Sequence, residues 1–594
     1  MPNIIQTAQE KIENFIKPSE DIKQEELKVG DNKKEALRKL KFRLEQTEIL
    51  LKPKIQAWEK SLKFFNGDHW EVAGVTLPTY KAGIVINKFF AAVRSLVAFE
   101  TDARPDPEVD ARVDKLASGA EGTIKATKKV ESMLDYRWDM LNIPNILTEI
   151  YYDRYIFDDG FGMYFWNLDV DDVDFEQIKP YELFIAPGAS SLDDADFLIV
   201  KKRRSKKWFT DNFPDDVDDI KFEGVQYEEY FPFTQEAKKT EYENMASVYH
   251  YFENELWATF TDNKVLEIMD NPNWEFRTER EQLEELKKVL GSQPVPDDWV
   301  PVKNHLLKPE KPIVHFKGYH LGGELYSRSL AKQAFQLNIA VDKRKSQIQD
   351  NADGVGNGQW VIDPSVPLDK VNLITSEPGL KIRINPSLAR KEPGMPLPEF
   401  VFADLQHSEQ KFDDMMGHHD VSRGAGTSKR QTARETMLLR ETDITPVRLL
   451  MRNSEHAITR MLNGWVQLQK LFYDEAHYVG KFGSSMKEET GSFLTRKDIP
   501  DSLSIVIRAG STLPTSKETK RQEYQRDLAA GILDPLTYLE LMDYPNPRKI
   551  LQRNLNWQRG IIGEEEGGGQ QLPPQEGGQG AQQPAQFPGF PQEA

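Results

Sequence analysis

From Glu324 to about Asp350 the chain carries no helix breaker, and Leu330, Ala334, Leu337, Val341 and Ile348 fall on one narrow apolar stripe. The spacing predicts a single uninterrupted helix roughly 40 Å long at 1.5 Å per residue, longer than a small domain is wide. From Asn351 to Pro398 the chain turns rich in Gly, Pro and β-formers, and strands are expected at Gln359 to Ile362, Val371 to Ile374 and Leu380 to Ile384. Phe400 to Asp420 is helical again. A helix, a small module and a returning helix describe a stalk with something at its tip, which no single rounded core accommodates.

The flanking regions supply the body from which such a stalk would project. Helices are expected over Lys33 to Phe65, kinked at Pro53 and stopped at Asn66-Gly67, then Ile84 to Phe99, Thr123 to Leu141 and Asn145 to Phe157. Pro105 and Pro107 read as breakers, and Pro144 as a separator. From Gly160 the texture becomes β, with runs at Gly162 to Trp166, Phe175 to Ile178, Leu183 to Ile185 and Phe197 to Lys201 that predict an antiparallel sheet. Val248 to Trp257 and Val265 to Ile268 read as a hairpin turning at Thr261 to Asn263. Trp274 to Leu290 reads as a solvated helix. Beyond the stalk come a Gly-rich loop, Val421 to Thr432, a long helix from Ala433 to Tyr473 with a bend at Pro446, a strand at Leu503 to Arg508, and helices from Ser516 to Trp557.

Composition removes several functions. The 594 residues include no Cys, which excludes disulfide frameworks, thiolate metal sites and cysteine nucleophiles. Lys and Arg total 77 against 95 Asp and Glu, a formal charge of −18, which opposes general affinity for nucleic acid. No apolar run is long enough to span a bilayer, so no membrane partner is expected. Gly424-x-Gly426 with Lys429 lacks the spacing and the preceding strand of a nucleotide-binding loop. His418-His419-Asp420 has no third ligand in sight, and Asp169 to Asp174 has Asp174 where a calcium loop requires Gly. No cofactor is expected and nothing supports catalysis.

Four blocks, taken in order, resemble the portal proteins of tailed bacteriophages. They are aromatic-x-Gly-x-x-Trp at Phe65 to Trp70; Asn87, an apolar helix and Arg104-Pro-Asp-Pro107; Gly160-x-Gly162 leading to Pro180 and Ala186-Pro187; and Gly318 to Ser329 opening a long helix with Gln336 and Asn338. The pattern departs from the family at His69, where Gln is frequent, and in the charged helix at Trp274 to Leu290. The resemblance implies an α+β, portal-type subunit. In it, residues 1–32 form an N-terminal arm, 33–321 a mixed α/β wing with an inserted helix at about 274–290, and 322–350 a first stem helix. Residues 351–399 form a small strand-rich clip, 400–420 a second stem helix, 421–432 a tunnel loop, and 433–515 a long helix returning to the wing. Residues 516–562 form a helical crown, and 563–594, with five Glu and no Lys or Arg, a disordered tail.

The same resemblance implies a homo-oligomeric ring, commonly dodecameric, at one vertex of the virion capsid, assembled in the host cytoplasm. Its channel would pass double-stranded DNA without reading sequence; the alternatives are an ATP-driven DNA-packaging or processing enzyme of the virion system and another structural head protein. Its partners would be the large terminase, the major capsid and scaffolding proteins, and later head-completion or tail adaptor proteins. Arg423, Lys429 and Arg430, the only charges of the Gly-rich loop, are expected to touch DNA. Lys343, Arg344 and Lys345 are expected to face the channel or a neighbouring subunit, and Trp360, Asp363, Asp369 and Lys370 to meet the motor. An acidic wall suits sliding, because neutralising many phosphates would bind the duplex statically and make each step climb out of that well.

Overall fold

A computed structural model of the chain describes residues 27–30, 32–111, 120–225, 242–291, 293–296, 299–356, 360–372, 383–385, 387–392, 395–417, 433–479, 492–501, 503–508, 517–542, 544 and 547–558. It opens with α1 (Lys33–Asn66), whose Asn32 cap accepts the Lys34 N–H at 3.2 Å. The helix continues through Pro53 and stops as expected, because Gly67 takes the left-handed backbone, φ 100°, that closes the last turn. Leu40, Leu44, Leu51 and Trp58 make its buried face.

After one turn, α2 (His69–Val72), the chain reaches α3 (Lys88–Thr101) through an irregular segment with turns at residues 73–74 and 79–80. The helix expected from Ile84 begins only at Lys88, where Asn87 accepts the Phe90 N–H at 2.8 Å. Pro107, read as a breaker, instead opens the strand β1 (Pro107–Ala111), since a first residue can lack an N–H at little cost. Pro144 does not separate helices either: after α4 (Ala120–Met140), it lies in the first turn of α5 (Ile143–Ile156), where the N–H has no intrahelical partner.

Strands β2 (Asp159–Asn167), β3 (Asp172–Ile178), β4 (Leu183–Ile185) and β5 (Leu198–Ser205) follow, then α6 (Lys206–Asn212). Next come β6 (Glu223–Val225), β7 (Tyr242–Phe252), β8 (Leu256–Thr261) and β9 (Val265–Asp270). The strand expected over Val248 to Trp257 is therefore two strands: the chain reverses between Phe252 and Leu256, with Glu253 N–H bonded to Leu256 O at 2.9 Å. This sheet has the order β4-β5-β7-β8-β9, with β6 paired to β7, and is antiparallel as the alternation predicted. The solvated helix α7 (Glu279–Leu290) starts at a Thr278/Glu281 capping box and not at Trp274.

Strand β10 (Ile313–Lys317) pairs with the far edge of β2 to give the sheet β10-β2-β3. The long helix is α8 (Leu330–Gly356). It begins after Ser329 and not at Glu324, because Tyr319 and Arg328 form a bridge and Ser327 is held elsewhere; it also runs past Asp350. At its end lie β11 (Trp360–Ile362), α9 (Leu368–Val371) and β12 (Ala389–Lys391), the two strands pairing antiparallel. Val371 closes a helical turn where a strand was expected. Two returning helices, α10 (Phe400–Met416) and α11 (Ala433–Phe472), follow, the first closed by left-handed Gly417 and the second continuing through Pro446. Strands β13 (His477–Val479), β14 (Ser492–Leu494) and β15 (Leu503–Ile507) complete this unit, β15 pairing with β1.

One core joins α3, α5, β10, α8, α10 and α11 through residues such as Val93, Ile150, Val314, Ala334, Phe412 and Trp465. A second packs α1 on the larger sheet around Trp58, Phe161, Leu198, Tyr251 and Phe260. A separate unit contains α12 (Lys517–Ala529), α13 (Pro535–Leu541) and α14 (Pro547–Gln558). Asp534 caps α13, accepting the Thr537 N–H at 3.1 Å.

Candidate functional site

Parts of three blocks singled out in the sequence, at Phe65 to Trp70, Gly160 to Gly162 and Gly318 to Ser329, lie about the first half of α8. Asp159, fully buried at the start of β2, accepts from the Ser327 hydroxyl at 2.6 Å and the Ser327 N–H at 2.8 Å, and contacts His315 Nε2 at 2.9 Å. Burial raises its pKa, but His315 and the two Ser327 bonds outweigh burial and hold the carboxyl below its ordinary value. The turn entering α8 is thereby fastened to the β2 strand.

Glycine is obligatory at this junction. A Cβ on Gly318 would lie 2.3 Å from the Asp158 carbonyl, one on Gly160 2.5 Å from the Ile150 carbonyl, and one on Gly162 2.2 Å from the Phe175 ring. The Phe65-to-Trp70 block joins from the other side, where Asn87 Nδ2 donates to Phe65 O at 2.7 Å. Asn338 Nδ2 donates to Ile86 O at 2.9 Å, and His69 Nδ1 lies 2.5 Å from Asp342 Oδ2.

Helices α8 and α10 pack antiparallel: Asn351 Nδ2 reaches Met395 O at 2.8 Å, while Arg344 pairs with Asp404. Lys345 lies 3.8 Å from Glu409, and Lys343 is exposed with no ion pair among the described residues. Two of the three candidate cations are thus engaged within their own subunit. Lys88, at the first position of α3, ties α10 to the body through Asp413 at 2.9 Å.

At the far end, Asp363 accepts the Ser365 N–H at 2.8 Å, and the bonds to Ser365 hold its carboxyl below its ordinary value. Asp369 and Lys370 are exposed side by side on α9. Trp360 is half-exposed, and Leu368 and Met395 are 76% and 86% exposed, an apolar surface on a small module. Arg423, Lys429 and Arg430, the His418-His419 pair, part of the expected strands at 371–384, the arm up to residue 26 and the tail from 563 lie outside the described residues.

Sequence reasoning passed over one cationic run, Lys201-Lys202-Arg203-Arg204 followed by Lys206-Lys207. It lies on β5 and the start of α6. Lys202 Nζ lies 3.1 Å from Glu182 and 3.9 Å from Glu176, Lys201 covers the Tyr249 ring, and Arg204 covers Trp208. Asp169 to Asp171 form the β2–β3 turn, with Asp172 buried against Tyr473 Oη at 2.8 Å. Among the described residues, no group of three or more His, Asp or Glu could hold a metal ion, and no helix is long and apolar enough to cross a membrane.

The family model for the Phage P22-like portal protein matches residues 52–593. The chain belongs to that family. The match runs from within α1 through the body, the α8/α10 pair and α11 to the C-terminal segment. No curated protein matches it. The protein is accordingly a bacteriophage portal protein of the virion, from a structural and non-enzymatic family of head-to-tail connectors acting in genome packaging. The α+β class expected from the sequence agrees with the mixed helices and antiparallel sheets of this portal subunit.

Proposed function

We propose that the subunit closes into a dodecameric ring at one capsid vertex and serves as the conduit through which double-stranded DNA enters and leaves. The α8/α10 pair forms the stem, the module between them the clip that docks the large terminase and later the adaptor and tail proteins, and residues 421–432 the tunnel loop. The rest of the first unit makes the wing, which meets the capsid and scaffolding proteins, and the C-terminal helices make the crown. Supporting this reading is the antiparallel pair carrying a small tip whose Trp360, Leu368 and Met395 lie open in the single chain. In a ring those groups face a neighbouring copy or a docked partner, which removes apolar area from water. A charge of −18 per chain repels the duplex on average, leaving Lys343 and the loop cations Arg423, Lys429 and Arg430 as sparse transient contacts.

The test replaces residues 357–394 by a short Gly/Ser linker. Rings should still assemble while heads remain empty of DNA; heads filled normally by that variant would refute the tip as motor dock. Changing Arg423, Lys429 and Arg430 together to Gln should alter DNA retention and leave ring stability unchanged. A loss of ring stability instead would make those residues braces between subunits.

A further inference from the structure

Residues 82–87 belong to no helix or strand, so their backbone groups need other partners. They find them on one face of α8. Ala82 N–H donates to Asp350 Oδ1 at 2.7 Å, Ile84 N–H to Ser346 Oγ at 3.1 Å, and Ile86 N–H to Asp342 Oδ1 at 2.8 Å. Just beyond, Phe89 N–H lies 3.3 Å from Asn338 Oδ1. The four side chains recur at every fourth helical position, a step of about 6 Å. Alternate residues of an extended chain recur every ~6.6 Å. The two repeats nearly match, which is why a backbone can zip onto a helix here.

The match also makes the pairing degenerate, because sliding the helix by one turn offers each N–H a similar acceptor. One contact has only one solution. His69 is fully buried, with Nδ1 at 2.5 Å from Asp342 Oδ2 and Nε2 at 3.1 Å from Phe64 O. Asp342 presents one carboxylate oxygen to His69 and the other to Ile86 N–H, a pair of acceptors that Ser346 and Asn338, with one side-chain oxygen each, do not offer; Asn338 Nδ2 lies 3.3 Å from the same ring nitrogen. Asp342 is therefore gripped by His69 and Ile86 N–H at once.

We propose that residues 82–86 and the seam from Asn338 to Asp350 form a register clamp on α8, and that His69 selects its register through Asp342. Weakening His69 frees the helix to step by one turn against the body, a discrete movement of about 6 Å along its axis. The clamp would set how far the long helix projects from the body.

Amide hydrogen exchange on the full-length protein, read residue by residue, tests this. His69→Ala should raise exchange at the Ala82, Ile84 and Ile86 amides together by about tenfold or more, and His69→Gln, which keeps a donor for Asp342, should restore most of the protection. Ser346→Ala should raise exchange at Ile84 alone. Since the chain has no Cys, spin labels at Tyr80→Cys and Lys332→Cys are the only ones introduced. Adding His69→Ala to that pair, diluted among unlabelled subunits, should give a second distance displaced by about 6 Å. Exchange unchanged in His69→Ala, or a single unshifted distance, would overturn the clamp. Should His69→Ala fail to fold, Ser346→Ala decides alone: protection of Ile84 that survives it means the segment is held by packing and not by the seam.

Discussion

The junction around β2 and the tip beyond α8 solve opposite problems with the same chain. At the junction, three glycines admit contacts that no side chain would allow, and Asp159 has its buried oxygens answered. At the tip, two strands of three residues hold a module whose Trp360, Leu368 and Met395 stay open. The difference teaches where the subunit is complete and where it awaits something else. The junction is finished by intrachain packing; in the proposed function the tip is finished by another molecule.

Substitutions that crowd each region should separate the two most sharply. Gly162→Ala puts a methyl into the Phe175 ring within a close-packed core, and a loss of about 2–4 kcal/mol is expected in thermal or denaturant unfolding. Gly354→Ala, near the end of α8 with nothing within 4 Å, should instead be neutral or stabilising by up to ~1 kcal/mol. Equal losses at both positions would erase the distinction.

A pH series sharpens the comparison. Burial pushes Asp158 up to about 6, against the attraction of Lys54 at 3.8 Å. Between an unfolded value near 4 and about 6, the native state keeps a proton that the unfolded chain has lost. Stability therefore falls as pH rises through that window, by at most about 3 kcal/mol, and is flat above it. Asp158→Asn should remove that slope and melt higher than the parent at pH 8. Asp159, whose pKa is depressed, contributes the opposite sign: its stabilisation is present above the unfolded value and is lost as pH drops through the folded one.

The smallest effect belongs to the stem surface. Arg344→Ala removes a partly exposed pair with Asp404, and the expected loss is under about 1 kcal/mol, diminishing with salt. A loss of several kcal/mol would mean that the helix pair depends on its ion pairs more than on Phe412 and Ala334 in the core.

What the sequence disclosed followed from local chemistry. Gly67 ended α1 because a left-handed residue closes a helix, and the alternation around Tyr249 and Phe260 marked an antiparallel sheet. The reversal at Glu253 to Glu255 was hidden, since it contains neither Gly nor Pro. The start of α8 was misplaced because the residue that holds Ser327 out of the helix, Asp159, lies 168 positions away. His69 stood out only as a departure from a pattern; its partner Asp342 is 273 positions distant, and no spacing rule connects them.

The central claim is that this subunit is unfinished alone and complete in a ring. Mass photometry of the purified full-length protein measures that directly. The account predicts a dominant closed species near twelve times 68.3 kDa. A stable monomer with no larger closed species, under conditions where the body is folded, would contradict it.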